Sequence, residues 1–206
     1  MSRLALLLSV SCLALVCRGE APNPARAPAT GLTACITCHG VEGRGNARVN
    51  APRIAGMDAW YIRRQLTAFR DGWRGTHDED IVGWEMQAIA RPLSGGAISA
   101  AATWFAGLDT PRQPPTVTGD ADRGRSLFSA CAGCHGADAR GGEALGAPGL
   151  AGQSDWYLVR QLENFRSGRR GYHPDDTAGR QMAASLGSLA DEQAVRDVVA
   201  YIASLD

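Results

Sequence analysis

The sequence predicts an all-α chain of two similar domains in tandem, joined by a short proline-rich linker. Three observations carry this. Apolar residues recur at helical spacing, and no strand-like alternation appears. The chain repeats itself at an interval of 96 residues: between Pro52 and Gly75, 13 of 24 positions are identical to those 96 residues further on. Between the copies lies the stretch 110–119, where Pro111, Pro114 and Pro115 favour an extended connection. Two copies are too few for a solenoid, and 206 residues suit two domains of about a hundred each.

The elements follow in chain order. Arg3 precedes the almost wholly apolar run Leu4 to Val16, so residues 1–19 read as a secretory signal peptide. That run is shorter than the roughly 20 residues of a membrane span. Cys17 is a possible lipid-attachment site, but Ala14, Leu15 and Val16 fit a lipoprotein signal poorly. The first domain is expected over 28–109. It holds a helix from Asp58 to Arg70, capped by Asp58 with Gly72 beyond its end, and a weaker one from Ala97 to Leu108. The linker is 110–119 and the second domain 120–206. There Asp120 caps a helix from Ala121 to Cys131, and Ser154 caps one from Asp155 to Arg166. The run Asp191 to Leu205 sets Val195, Val198, Val199, Ile202 and Leu205 on one face. The glycine-rich stretches 40–56 and 136–152 read as loops, and neither carries a P-loop or Rossmann fingerprint.

Hydrophobic residues make up 45% of the chain and charged residues 20%, a globular balance. All 21 basic residues are arginine, and 21 acidic residues cancel them. Without residues 1–19 the count is 19 basic to 21 acidic, a net charge of −2. No basic stripe marks a nucleic-acid surface, so no nucleic-acid partner is expected. No apolar run after the signal is long enough to span a bilayer.

Two cysteine pairs decide the chemistry. Cys35-Ile-Thr-Cys38-His39 and Cys131-Ala-Gly-Cys134-His135 both read C-x-x-C-H, the attachment motif for c-type haem. Thiols two residues apart form thioethers to the two vinyl groups of one haem, and the adjacent histidine reaches the iron. Two disulfides would leave both histidines unexplained. One zinc site would need the pairs closer than the gap from Cys38 to Cys131. Two covalently bound haems are therefore expected.

The repeat also points to a second iron ligand. Met86 and Met182 align, each 47 residues after its own motif histidine, whereas Met57 aligns with Gln153. Methionine is a common sixth ligand in electron carriers, and the competing reading is a core methionine. His77 and His173 are a rival pair, nine residues before each methionine, in polar stretches that suit solvated or capping residues. Trp60, Tyr61, Trp156 and Tyr157 read as core packing, with hydrogen bonds to haem propionates as the alternative. Arg64 and Arg160 read either as partners of haem propionates or as a solvated helix face.

Each half resembles a class I cytochrome c domain, and the tandem resembles the dihaem cytochrome c4 family. The likeness covers roughly 28–206. It rests on C-x-x-C-H-G at 35–40 and 131–136, on Ala51-Pro52 and Ala147-Pro148, on the repeated Trp-Tyr, Arg-Gln-Leu and Phe-Arg runs, and on Met86 and Met182. It implies a periplasmic electron carrier, with Pro52 and Pro148 packed against His39 and His135. The implied partners are a dehydrogenase or quinol-oxidising complex and a terminal oxidase. The first half departs from the pattern: Pro28 and Gly31 stand where the second half has Gly124 and Leu127, so its opening helix is expected to be short or missing.

Three function classes compete. A carrier has both irons filled by methionine; a haem peroxidase needs one open iron; a haem-bearing subunit docked on a dehydrogenase or oxidase differs from the carrier only in permanence. No Ser-His-Asp set or paired catalytic carboxylates stand out, so no enzymatic activity is expected.

Overall fold

The computed structural model describes residues 31–205. The signal at 1–19, Cys17 and the departure at Pro28 lie outside the described residues. Among the described residues there are helices and loops with no β-strand, only two isolated bridges, Asn46 with Ala51 and Gly142 with Ala147. These bridges pinch the two glycine-rich loops at equivalent places.

The first copy contains α1 (Thr33–His39), α2 (Ala59–Arg70), α3 (Ile81–Ala90) and α4 (Gly95–Ala106). The second contains α5 (Ala121–Phe128), α6 (Ala132–His135), α7 (Asp155–Arg166), α8 (Thr177–Ala184) and α9 (Glu192–Ala203). The helix expected over 121–131 breaks after Phe128, and a turn separates it from the short helix that carries Cys134 and His135. Helices α3 and α8, which carry the two methionines, went unpredicted. The run Ile81 to Ala90 is largely apolar, with only Glu85 and Gln87 polar, so it shows no clear helical stripe, and Thr177 to Ala184 is short and polar. Their start signals were present: Asp80 accepts the Gly83 N–H and Asp176 the Gly179 N–H. Helices α2 and α7 begin after Asp58 and Ser154 as expected, but neither side chain caps its helix. The Ser154 hydroxyl instead accepts the Arg53 N–H at 3.2 Å, across the two copies.

Each copy has its own core. In the second, Val195, Val198, Val199 and Ile202 of α9 pack on Phe128, Leu158 and Phe165, each such side chain stabilising the fold by about 1.5–3 kcal/mol on burial. In the first, Ile62 of α2 packs on Ala102 and Phe105 of α4. Helix α5 lies close on α9 because Gly124 has no side chain: a Cβ there would come 2.0 Å from the Asp197 carbonyl oxygen. The buried Asp197 carboxylate accepts from the Asp120 N–H, the Gln193 amide and the Arg123 guanidinium. Burial pushes its pKa up, but these donors outweigh it and hold it below the usual carboxylate range.

Residues 110–119 form no helix or strand and are tied to both copies. Thr110 Oγ1 donates to the Glu42 carbonyl at 2.7 Å. Further along, the Thr116 and Val117 N–H groups donate to the Asp155 carboxylate. The copies face one another about a pseudo-twofold axis. Repeat-equivalent residues meet across it: Gln153 Nε2 lies 3.5 Å from Met57 Sδ, and Thr76 Oγ1 lies 2.6 Å from Tyr172 Oη. Such self-complementary pairing is what a twofold interface produces.

Candidate functional site

Each copy contains one apolar-walled cleft, partly open to solvent. The first is lined by Cys35, Cys38, His39 and Met86; the second by Cys131, Cys134, His135 and Met182. All eight site residues expected from the sequence are thus brought together in fours. None of the four cysteines is in a disulfide. His77 and His173 line neither cleft. Each instead accepts an N–H two residues on, from Glu79 and Asp175 respectively, at 3.2 Å.

The motif histidines are oriented by the loops that follow them. His39 Nδ1 lies 2.8 Å from the Pro52 carbonyl oxygen, and His135 Nδ1 lies 2.9 Å from that of Pro148. A carbonyl oxygen only accepts, so Nδ1 carries the hydrogen and the Nε2 lone pair is left free. Burial lowers the pKa of both imidazoles, and the proline carbonyls oppose this only in part. Both rings are therefore neutral at pH 7, as a metal ligand requires. Gly45 and Gly141 make this geometry possible. They adopt left-handed φ of 81° and 68°, and a Cβ would come 2.5 Å from Pro52 C and 2.4 Å from Pro148 C respectively.

Between the clefts lies a ring of four polar side chains. Arg74 donates to Gln65 Oε1 at 2.6 Å and to Gln161 Oε1 at 2.7 Å. Arg170 donates to Gln161 Oε1 at 2.8 Å and to Gln65 Oε1 at 2.9 Å. Each arginine also reaches the opposite tyrosine, Tyr157 or Tyr61, at 3.1 Å. Four residues of each copy line the other copy's cleft, and they are repeat equivalents: Met57, Tyr61, Arg64 and Gln65 from the first, Gln153, Tyr157, Arg160 and Gln161 from the second. Tyr61 is buried, as expected of core packing, and both tyrosines also join the contact between the copies.

Whether these clefts fit haem is tested by what they leave unmet. Arg74 and Arg170 are only 5% and 6% exposed, and each lines one cleft. Among the described residues neither forms an ion pair, and the Nε of each has no partner. A buried cation with only neutral acceptors is costly, and an anionic group in the cleft would meet it. Haem presents two carboxylates, an iron suited to imidazole and thioether, and vinyl groups for paired thiols. The residues present fit the group. The arginines singled out from the sequence line the clefts too: Arg160 bonds Asn50 across the interface, and Arg64, which stacks on Trp60 and Tyr61, likewise has a buried Nε without a partner. The signal that would have found Arg74 and Arg170 was their Arg-Gly repeat, which sequence alone did not tie to a site.

Comparison with known proteins agrees. The family profile for cytochrome c matches residues 28–97 and 121–206. The chain is 31% identical to cytochrome c-552 of Acidithiobacillus ferridurans, over 97% of this chain and 84% of that protein. It is 34% identical to the thiosulfate dehydrogenase electron acceptor of Stutzerimonas stutzeri, over 84% of this chain and 79% of that one. Among solved structures, reduced recombinant cytochrome c4 from Pseudomonas stutzeri superposes with a TM-score of 0.66 at 28% identity, covering 85% of this chain and 95% of that chain.

Proposed function

The chain belongs to the cytochrome c family, as a dihaem electron-transfer protein with two tandem domains, and we propose that it works in the periplasm as a carrier with both irons closed. In this reading Cys35 and Cys38 attach one haem and Cys131 and Cys134 the other. His39 with Met86, and His135 with Met182, would hold the two irons. When bound, each haem supplies an iron that exchanges one electron between its ferric and ferrous states.

The protein's residues do the rest. The Pro52 and Pro148 carbonyls hold each imidazole in the tautomer whose Nε2 is free. The methionine thioethers would serve as the second protein ligand to each iron and favour its reduced state. The apolar cleft walls would surround the apolar ring of the haem, and Arg74 and Arg170 would meet its propionates. The observation that carries the reading is the pairing, in each cleft, of a proline-oriented imidazole with a methionine. A site closed on both sides leaves no place for substrate, so the protein transfers electrons without chemistry of its own.

Electrons pass from a dehydrogenase or quinol-oxidising complex to a terminal oxidase. A second reading, a subunit docked on one dehydrogenase, is favoured by the likeness to a thiosulfate dehydrogenase electron acceptor. The experiment mixes the oxidised holoprotein with purified thiosulfate dehydrogenase and thiosulfate, then with membranes containing a terminal oxidase. Uptake of two electrons and their loss to the oxidase support the carrier. Stable co-elution with the dehydrogenase supports the subunit. Absence of any exchange, or turnover of peroxide, would overturn both.

A further inference from the structure

Helices α3 and α8 are repeat equivalents, and each carries the methionine of its cleft. Their outward residues differ in kind. Ile81, Trp84 and Ile89 on α3 are 64%, 62% and 40% exposed. At the equivalent positions stand Thr177, Arg180 and Ser185. The second copy shows that the fold does not require apolar residues there, and a cluster of large exposed hydrophobics marks an interaction site. The patch is continuous with the first cleft, because Ile89 and the half-exposed Val49 both line that cleft.

Charge sets the two faces apart as well. Residues 77–91 contain Asp78, Glu79, Asp80 and Glu85 against Arg91, a net −3; residues 173–187 contain Asp175 and Asp176 against Arg180, a net −1. Asp80 is buried, but Asp78, Glu79 and Glu85 are exposed. The apolar face of α3 therefore carries an acidic surround, in which Glu79 lies 3.9 Å from Arg169 and Asp78 and Glu85 form no ion pair among the described residues.

We propose that the outward face of α3 is a docking surface for a redox protein whose contact patch is apolar and rimmed by lysine or arginine. This deepens the carrier reading and rests on it. Charge complementarity chooses the occupant. A second copy presenting the same face would set its acidic surround against this one, and an anionic bilayer would be repelled likewise. Trp84 is the anchor, as tryptophan is enriched among the few residues that dominate binding. The contact is small, below roughly 1,200 Å² in all, as in transient electron-transfer encounters. The face of α8, polar and bearing Arg180, does not take this partner.

The test uses the dihaem holoprotein and a surface of stated chemistry in place of the partner. Voltammetry is run on gold coated with mixed methyl- and ammonium-terminated thiols, and on gold coated with methyl- and carboxylate-terminated thiols. The wild type should exchange electrons at least tenfold faster at the ammonium surface. The double variant Ile81→Thr/Trp84→Arg, whose residues line neither cleft, should lose at least tenfold there. A titration with small soluble mediators should still return two electrons from the variant. Equal rates for wild type and variant would overturn the docking face while leaving the carrier reading intact. Failure of the mediated titration on the wild type would overturn the carrier reading, and the docking face with it. A wild-type dimer in sedimentation that the variant dissolves would assign the face to a second copy and overturn the proposal.

Discussion

Arg74 and Gln161 meet across the boundary between the two copies, guanidinium Nη2 to amide Oε1 at 2.7 Å, and the reciprocal pair Arg170 and Gln65 meets at 2.9 Å. Each glutamine oxygen accepts from both arginines, so the four side chains close a ring around the pseudo-twofold axis. The ring fixes how the two clefts sit relative to one another. It also places two cations between them, where burial pushes the Tyr157 phenol up but Arg74 and Arg170 outweigh it and hold it below its usual range.

Replacing Arg74 with methionine leaves the Tyr157 hydroxyl without its donor and both glutamine oxygens one donor short. We expect a loss of about 1–3 kcal/mol in chemical unfolding. Arg170→Met should cost a similar amount. The double variant should fall short of the sum, because both arginines serve the same two acceptors. Additive losses would show that the ring does not act as a unit.

Met86→His and Met182→His should each lower the potential of one haem only. Thioether ligation favours the reduced state, and the two methionines line separate clefts. Axial ligands and their surroundings set haem potentials over a range of roughly 0.8 V, so the shift should be plain in a titration that resolves both haems. An unchanged pair of potentials would remove that methionine from the ligand set.

Gly141→Ala should destabilise the second domain by at least about 1–3 kcal/mol. A Cβ there meets the Pro148 carbonyl carbon at 2.4 Å, and φ is 68°. Gly187→Ala is the control, since nothing lies within 4 Å of its Cβ. Denaturant midpoints of the two variants should differ clearly, and equal midpoints would contradict the close approach of the two loop strands.

Asp197 makes stability depend on pH in a definite direction. Its folded pKa is depressed below the ordinary value of about 3.9. The stabilisation it supplies is therefore present above about pH 4 and lost as pH falls through the folded value. Asp197→Asn should be less stable than wild type at pH 7, with the gap closing at low pH. Parallel stability curves from pH 7 to pH 3 would show that the carboxylate charge is not what matters there.

Much of this was legible in the sequence. The doubled C-x-x-C-H motif and the equal spacing of Met86 and Met182 selected the eight residues that the clefts gather, because covalent attachment demands local spacing and the repeat supplies an internal check. The cores were legible where one helix face is apolar, as at Val195, Val198, Val199 and Ile202. What escaped was set by packing between the copies. Tyr61 and Tyr157 look like core residues because tyrosine packs well, and only the twofold contact gives their hydroxyls partners. Helix α3 escaped because Trp84 and Ile81 are apolar on its outer face, which erased its helical stripe.

The central claim is that both irons are closed by methionine, so that the protein moves electrons and binds no small substrate. Carbon monoxide mixing with the fully reduced holoprotein tests it most directly. Neither ferrous haem should bind carbon monoxide readily. Fast, stoichiometric binding at either haem would contradict it, and would take Met86 or Met182 out of the ligand set for that haem.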